Sequence, residues 1–167
     1  PGAGNTANIT VNNGGTINLG QDFLQDGLGT TNVLVKTGGA INNLATGRSI
    51  KLSGAGTTLE VNGTFATGAN SFTMGDSSVT GTGSFTVSPN GTLSIANVSG
   101  LESVAGPIRT TTRDFSTLAT YMYVGTAAQV TGSDLPATIK GLTINNATGL
   151  TLTNNVTVDT TLTFTSG

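Results

Sequence analysis

Ile9-Thr-Val-Asn-Asn-Gly-Gly-Thr-Ile17 recurs in degenerate form along the first half of this 167-residue chain. The second copy reads Val33-Leu-Val-Lys-Thr-Gly-Gly-Ala-Ile41, and two more follow as Leu59-Glu-Val-Asn-Gly-Thr-Phe65 and Phe85-Thr-Val-Ser-Pro-Asn-Gly-Thr-Leu93. The central valines are separated by 24, 26 and 26 residues; they are Val11, Val35, Val61 and Val87. A degenerate repeat of this length, with strand-like alternation inside it, is typical of a solenoid.

Apolar and polar residues alternate in short runs throughout the chain, which is the pattern of half-buried strands. Each copy of the motif also carries a pair of turn-forming residues at one place, at Gly14-Gly15, Gly38-Gly39, Asn62-Gly63 and Asn90-Gly91. Glycine and asparagine accept positive φ, so we expect these pairs to turn the chain at a corner. Because Asn-Gly is also a hairpin signal, a β-sandwich remains an alternative.

The once-per-coil recurrence favours an all-β fold, a right-handed parallel β-helix (β-solenoid) with coils of about 25 residues. Stacking of the coils would place the four motif valines above one another as a core ladder. Residues 1–97 and 119–167 are predicted to form coils. Residues 98–118 concentrate charges and contain Pro107, so we predict an inserted loop or a joint there. A second insertion is predicted at residues 20–27.

The last part of the chain carries a different pattern. Tyr121-Met-Tyr-Val-Gly-Thr-Ala-Ala-Gln129 is followed by Leu142-Thr-Ile-Asn-Asn146 and by Val156-Thr-Val-Asp-Thr-Thr-Leu-Thr-Phe164. Residues 121–167 resemble the repeat of large surface adhesins of Bacteroidetes-type bacteria, many of which are exported by type IX secretion. Asp159-Thr160 stands where that repeat usually has Asn-Gly. The resemblance implies a structural or adhesive protein of the cell surface and brings no catalytic residue with it.

Composition excludes several functional classes. Only 8% of residues are charged and the net charge is -2, so nothing favours binding to nucleic acid. There is no cysteine, and no apolar run is long enough for a membrane-spanning helix. Abundant Thr, Asn and Gly without cysteine suit secreted bacterial solenoids, so we expect an extracellular or cell-surface location. An export signal would then lie outside these residues.

Catalytic and metal-binding patterns are weak. The chain has no histidine, which removes the Ser-His-Asp and Cys-His arrangements. Some enzymes of this fold pair carboxylates, and Asp76 and Glu102 lie one repeat apart. Asp22 and Asp26 could supply oxygens to calcium, but that ion needs six to eight ligands. We therefore predict neither an enzyme nor a cofactor nor a metal site.

Two groups of residues can be interpreted as either structural or functional. The asparagines Asn12, Asn62, Asn145 and Asn155 could stack as amide ladders at corners or could recognise sugars, and we prefer the ladder. The aromatic residues Phe115, Tyr121 and Tyr123 could form an exposed platform for a glycan or a protein. Burial beneath residues 98–118 is the interpretation we favour for the tyrosines.

The ends of the pattern suggest how the molecule works. Strand-like residues near both ends could continue the core into another coil, namely Ile9, Val11, Leu162 and Phe164. Lateral contacts are expected from Arg109, Arg113, Asp114 and Phe115. The sequence thus predicts a non-enzymatic extracellular β-solenoid, either a self-stacking fibre subunit or a stalk of a surface adhesin or filament. Its partners would be further copies or neighbouring repeats. The alternatives are a carbohydrate-binding module for surface glycans and a polysaccharide-degrading β-helix enzyme.

Overall fold

The computed structural model describes residues 4–25, 29–43, 49–54, 56–66 and 78–166. Within these ranges every regular element is a strand, and every strand pairing is parallel. The predicted parallel β-solenoid is therefore confirmed, and the β-sandwich alternative is wrong because such a sandwich would consist of antiparallel strands.

The strands follow one another around the coils in chain order. They are β1 (Thr6–Val11), β2 (Thr16–Leu19), β3 (Phe23–Gln25), β4 (Thr30–Val35), β5 (Ala40–Asn43), β6 (Ser49–Leu52), β7 (Thr58–Val61), β8 (Thr64–Ala66), β9 (Ser78–Val87), β10 (Thr92–Ile95), β11 (Ile108–Phe115), β12 (Thr120–Tyr123), β13 (Gln129–Val130), β14 (Thr138–Asn145), β15 (Leu150–Thr151) and β16 (Thr157–Ser166).

Stacked strands form three faces. Face 1 consists of β1, β4, β7 and the second halves of β9 and β11, and face 3 consists of β3, β6 and the first halves of β9 and β11. Both long strands thus cross a corner, which β9 turns at Gly81 with φ 111°. Face 2 runs β2-β5-β8-β10-β12-β14-β16 and is the longest sheet path.

Coil size varies along the chain: the steps between stacked strands grow from 24 residues to 28 or 29 and then fall after β12. Paired residues lie 24 positions apart between β1 and β4 (Val11 and Val35), and 26 apart between β4 and β7 (Val35 and Val61). The step falls to 21 between β12 and β14, where Tyr121 pairs with Leu142, and to 20 between β14 and β16. We call the coils through β11 the wide coils and those from β12 onward the narrow coils.

The interior is built from ladders of apolar residues. Face 2 contributes a ladder that has seven rungs: Ile17, Ile41, Phe65, Leu93, Tyr121, Leu142 and Leu162. Face 3 contributes Phe23, Ile50, Val79 and Ile108. The rings of Phe65 and Phe85 meet edge to face with centroids 5.4 Å apart, which joins faces 2 and 1 across the core. Each fully buried aliphatic rung contributes about 1.5–3 kcal/mol.

The two residues of each corner pair are constrained in different ways, whereas the sequence predicted positive φ for both. Their first residues at Gly14, Gly38 and Asn90 do adopt positive φ. Their second residues are restricted by space instead. A Cβ on Gly91 would lie 2.3 Å from the Val61 carbonyl oxygen of the previous coil.

Each predicted insertion contains a strand of the coils beside residues outside strands, and residues 26 and 27 of the second one lie outside the described residues. In residues 98–118, residues 98–107 and 116–118 lie outside strands, whereas Ile108–Phe115 extends faces 3 and 1. Three of the four charged residues in this segment, Arg109, Arg113 and Asp114, lie on this strand, which is the last of the wide coils. In residues 20–27, Phe23–Gln25 forms the third face of the first coil, since Phe23 pairs with Ile50. Face 2 passes both segments without interruption.

Candidate functional site

The motif valines occupy one register position on face 1. Val11 pairs with Val35, Val35 with Val61, and Val61 with Val87. Val11 is 4% exposed and the other three are fully buried. The next rung is Phe115, which the sequence assigned to a lateral contact.

The first coil leaves part of the interior open. Ile9 and Ile17 are only half-buried, although they hold interior register positions opposite Val33 and Ile41. They line an apolar cavity of about 80 Å³ together with Leu19, Phe23, Val33, Ile41, Ile50 and Leu59. Of the two residues predicted for this end, Ile9 lies at the opening and Val11 lies in the core.

The last strand leaves the opposite end open. Leu162 and Phe164 on β16 stand in register with Leu142 and Ile144 of β14, so they continue the interior ladders of face 2. They are nevertheless 51% and 68% exposed. Within the described residues β16 pairs with β14 alone, and its other edge carries no strand. The two residues predicted for this end therefore hold interior register positions that no other strand of the described part of the chain covers.

The residues predicted for lateral contact divide into two groups. Arg109 donates to Ser78 Oγ at 2.8 Å on face 3, away from the others. Arg113, Asp114 and Phe115 line an open groove of about 350 Å³, whose remaining lining residues are Asp134 and Pro136.

Arg113 marks the end of an interior ladder. Its register partner is the fully buried Phe85, so an arginine occupies a position that is apolar in every earlier coil of face 1. Its guanidinium donates to the Thr110 carbonyl at 2.8 Å, and its Nε lies 3.5 Å from Asp134 Oδ2. That carboxylate oxygen is buried and accepts no hydrogen bond from the described residues. The ion pair therefore terminates the ladder.

The carboxylates considered for catalysis or calcium are engaged in local structure where they can be described. Glu102 accepts backbone N–H groups from Ala105 and Val104, and these bonds, that from Ala105 foremost, lower the pKa of its carboxyl group. Asp22 accepts the Ser49 N–H at 2.9 Å. Asp26 and Asp76 lie outside the described residues. In the part of the chain that is described, no three potential metal ligands cluster.

The tyrosines are buried, and each uses its hydroxyl to hold a neighbouring segment. Tyr121 Oη donates to the Ser116 carbonyl at 2.9 Å, and Tyr123 Oη donates to the Thr131 carbonyl at 2.6 Å. Burial raises the pKa of both phenols well above the ordinary value, and the nearby charge of Asp114 adds to the effect at Tyr121. Phe115 is half-buried, with its ring centroid 6.3 Å from that of Phe85.

Asparagine ladders exist at positions other than those predicted. On outward-facing positions, Asn32 donates to Asn8 at 3.1 Å and Asn42 donates to Asn18 at 3.0 Å. Asn62 lies at a predicted corner position, but its amide donates to the carboxylate of Glu60, two residues earlier in the chain, at 3.0 Å.

A buried amide network between the coils was not anticipated from the sequence. Gln129 is 2% exposed and Asn146 is 1% exposed. Gln129 Oε1 accepts from Gly125 N–H and from Asn146 Nδ2, both at 2.8 Å. Its Nε2 donates to the carbonyls of Ile95 at 3.1 Å and Asn97 at 2.9 Å. We call these contacts the Gln129 brace.

The brace explains part of the motif on which the resemblance rests. Gly125 and Gln129 belong to the Tyr-x-Gly-x-x-Ala-Gln element, and Asn146 closes the Ile-Asn-Asn element. A Cβ on Gly125 would lie 2.6 Å from Gln129 Cδ, so the glycine makes room for the amide. The sequence signal that could have indicated this network is an amide residue beside an interior strand in each of two successive coils, Gln129 in one and Asn146 in the next.

These ladders and their coil geometry define the chain as a parallel β-solenoid. Comparison with protein-family models, with curated proteins and with solved structures finds no significant match. Among the described residues, no helix is long and apolar enough to cross a membrane.

Proposed function

We propose that this chain is a non-enzymatic structural segment of an extracellular bacterial surface protein: a stalk whose coils are continued by further coils. The observation that carries the proposal is the exposure of interior rungs at both ends. Leu162 and Phe164 occupy ladder positions that are apolar in the preceding coils, yet half or more of each side chain is exposed. A neighbouring coil would bury them as the earlier rungs are buried.

The different coil sizes favour a stalk over a self-stacking fibre. The first coil makes a 24-residue step to the next, whereas the last step is 20 residues. Copies stacked head to tail would place a coil of about 20 residues against one of 24, so their ladders would match less well than those of equal coils. Neighbouring coils of the same size at each end would continue the backbone pairing on every face. Continuous strand ladders of this kind suit a rod that resists extension.

The proposed location is supported by residue types. Abundant Thr, Asn and Gly without cysteine, together with the adhesin-like pattern of residues 121–167, support a position on a cell surface. On the outward positions of face 1, amides and hydroxyls such as Asn8, Asn32 and Thr58 bond to one another along the rod and give it a polar surface.

The test is to lengthen the rod by one coil of matching size. A second copy of residues 142–161, inserted between Thr161 and Leu162, keeps the 20-residue register of β14 and β16. We expect a higher unfolding temperature by circular dichroism, since each added coil contributes one more coil–coil interface. The matched control inserts residues 17–40, a coil of the wide size, at the same place. Equal effects of the two insertions, or destabilisation by the matching coil, would contradict the proposal.

Electron microscopy and light scattering of the unaltered chain distinguish the stalk from the fibre. We expect short dispersed rods at all concentrations. Long fibres would refute the argument from coil size. Phe164→Lys, compared with Thr163→Lys on the outward side of the same strand, would then locate the contact, because only the former places charge on the interior ladder.

A further inference from the structure

The transition from wide to narrow coils is a weak point in the backbone pairing. Face 1 ends at β11, which pairs with β9 and with no other strand in the described residues. Face 2 alone carries a continuous sheet across the transition, through β10, β12 and β14. A short run of backbone bonds on one further side supplements it, from Val130 N–H to the Val98 carbonyl at 3.0 Å, from Leu101 N–H to the Thr131 carbonyl at 2.9 Å and from Asp134 N–H to the Leu101 carbonyl at 2.9 Å. Because face 1 adds no pairing here, the two segments share fewer backbone bonds than successive wide coils do and can open separately unless side chains couple them.

The Gln129 brace lies at this transition and contacts three successive coils. Its Nε2 reaches back to the Ile95 and Asn97 carbonyls, which belong to the last wide step. Its Oε1 accepts from Gly125 in its own coil and from Asn146 in the next. Both hydrogens and both acceptor positions of the amide are used, so no capacity of this buried group is left unpaired.

A fully paired buried amide makes the contact all-or-none. If the narrow coils moved away from the wide coils, the Ile95 and Asn97 carbonyls and both Nε2 hydrogens of Gln129 would lose their partners at a site that is buried in the closed rod. Leaving buried polar groups unpaired is far more costly than losing the same bonds at the surface. The amide therefore opposes separate opening of the two segments.

We propose that Gln129 couples the wide and narrow coils into one cooperative unit. This conformational role is independent of whether the rod serves as a stalk. Gln129 is the coupling residue, and Asn146 and Gly125 position its amide.

The experiment is hydrogen exchange measured by mass spectrometry on the intact chain, comparing peptides from residues 78–97 with peptides from residues 138–166. In the unaltered protein we expect both segments to exchange through a common opening with the same protection. Gln129→Met keeps the length of the side chain and removes all four hydrogen bonds. We expect protection of residues 138–166 to fall at least tenfold relative to residues 78–97, about 1.4 kcal/mol of opening free energy.

The matched control is Gln25→Met. Gln25 is 3% exposed, and its amide bonds Gly29, Ser53 and Gly54, all within the wide coils. We expect this variant to lower protection near residues 49–54 and to leave the coupling of residues 138–166 unchanged.

If Gln129→Met does not fold, Asn146→Ala removes one bond of the brace, and we expect the same selective loss on a smaller scale. Equal loss of protection in both segments, no loss in either, or separate exchange in the unaltered protein would each overturn the proposal. Release of residues 138–166 by Gln25→Met would do so as well.

Discussion

Replacing Gly91 with alanine tests how closely successive coils approach one another at the corner of faces 1 and 2. Gly91 does not have a positive φ, so its backbone is open to any residue. Space is the obstacle, because a Cβ would lie 2.3 Å from the Val61 carbonyl oxygen and 3.0 Å from that of Ser88. Restoring an ordinary contact requires a displacement of roughly 1 Å. The bond from Thr92 N–H to the Gly63 carbonyl, now 2.7 Å, would then be lost.

The expected cost follows from these distances. Overpacking costs about 1–3 kcal/mol, and a broken backbone hydrogen bond adds about 1 kcal/mol. Reduced freedom of the unfolded chain returns about 0.4–1 kcal/mol. We therefore expect Gly91→Ala to lower the free energy of unfolding by about 2 kcal/mol or more, measured by chemical denaturation and circular dichroism.

Gly14→Ala is the matched control. Gly14 has φ 76° and nothing within 4 Å of an added Cβ, so only conformational strain applies. That strain costs about 1–2 kcal/mol and is partly offset by the unfolded state. A Gly91→Ala variant as stable as Gly14→Ala would refute the reasoning from close approach.

Three further predictions concern polar groups. Tyr123→Phe removes the 2.6 Å bond to the Thr131 carbonyl, which keeps the Leu101 N–H as a second donor at 2.9 Å, so we expect a loss of about 0.5–1.5 kcal/mol in denaturant unfolding. Burial raises the pKa of Tyr121 and Tyr123, so the tyrosines of the unfolded chain ionise at a lower pH than those of the folded chain. The free energy of unfolding should therefore stay constant below about pH 10 and fall above it. A variant with both tyrosines replaced by phenylalanine should lose this dependence. The pKa of Glu102 is lowered in the folded chain, so the stabilisation it contributes should be present above pH 4.5 and disappear in acid. In Glu102→Gln, the unfolding temperature should depend less on pH across that range.

Periodicity was sufficient to predict the solenoid and the alignment of its valines. The spacing of Val11, Val35 and Val61 equals the register steps of the stacked strands, because each coil returns to face 1 after one repeat. The tandem glycines located the corners for the same reason. Their second members could not be explained from sequence, since the restriction at Gly91 comes from a carbonyl one coil away.

Charge and Pro107 predicted an inserted loop or a joint at residues 98–118, and the structure shows both an irregular stretch at residues 98–107 and a strand after it. Arg109, Arg113 and Asp114 lie on that strand, β11, which the sequence did not predict. Arg113 occupies an interior position that is balanced by Asp134 from a later segment, and a contact between residues so far apart leaves no local signal. The Gln129 brace was missed for a related reason, since its partners come from three coils.

The Arg113–Asp134 pair and the Gln129 brace together account for the change in coil size. With Arg113 at the next rung of one of its two interior ladders, face 1 offers only Phe115 as an apolar rung on which another wide coil could stack, and burying an apolar residue against the ion pair would forfeit its transfer free energy. The chain instead takes a shorter path after β12, and its 20–21-residue coils retain face 2 as the common sheet. The amide of Gln129 then supplies, through side-chain bonds, the connection between coils that face 1 no longer provides through its backbone. In a solenoid, where each coil contacts only its neighbours, the strength of one such junction limits the cooperativity of the whole rod.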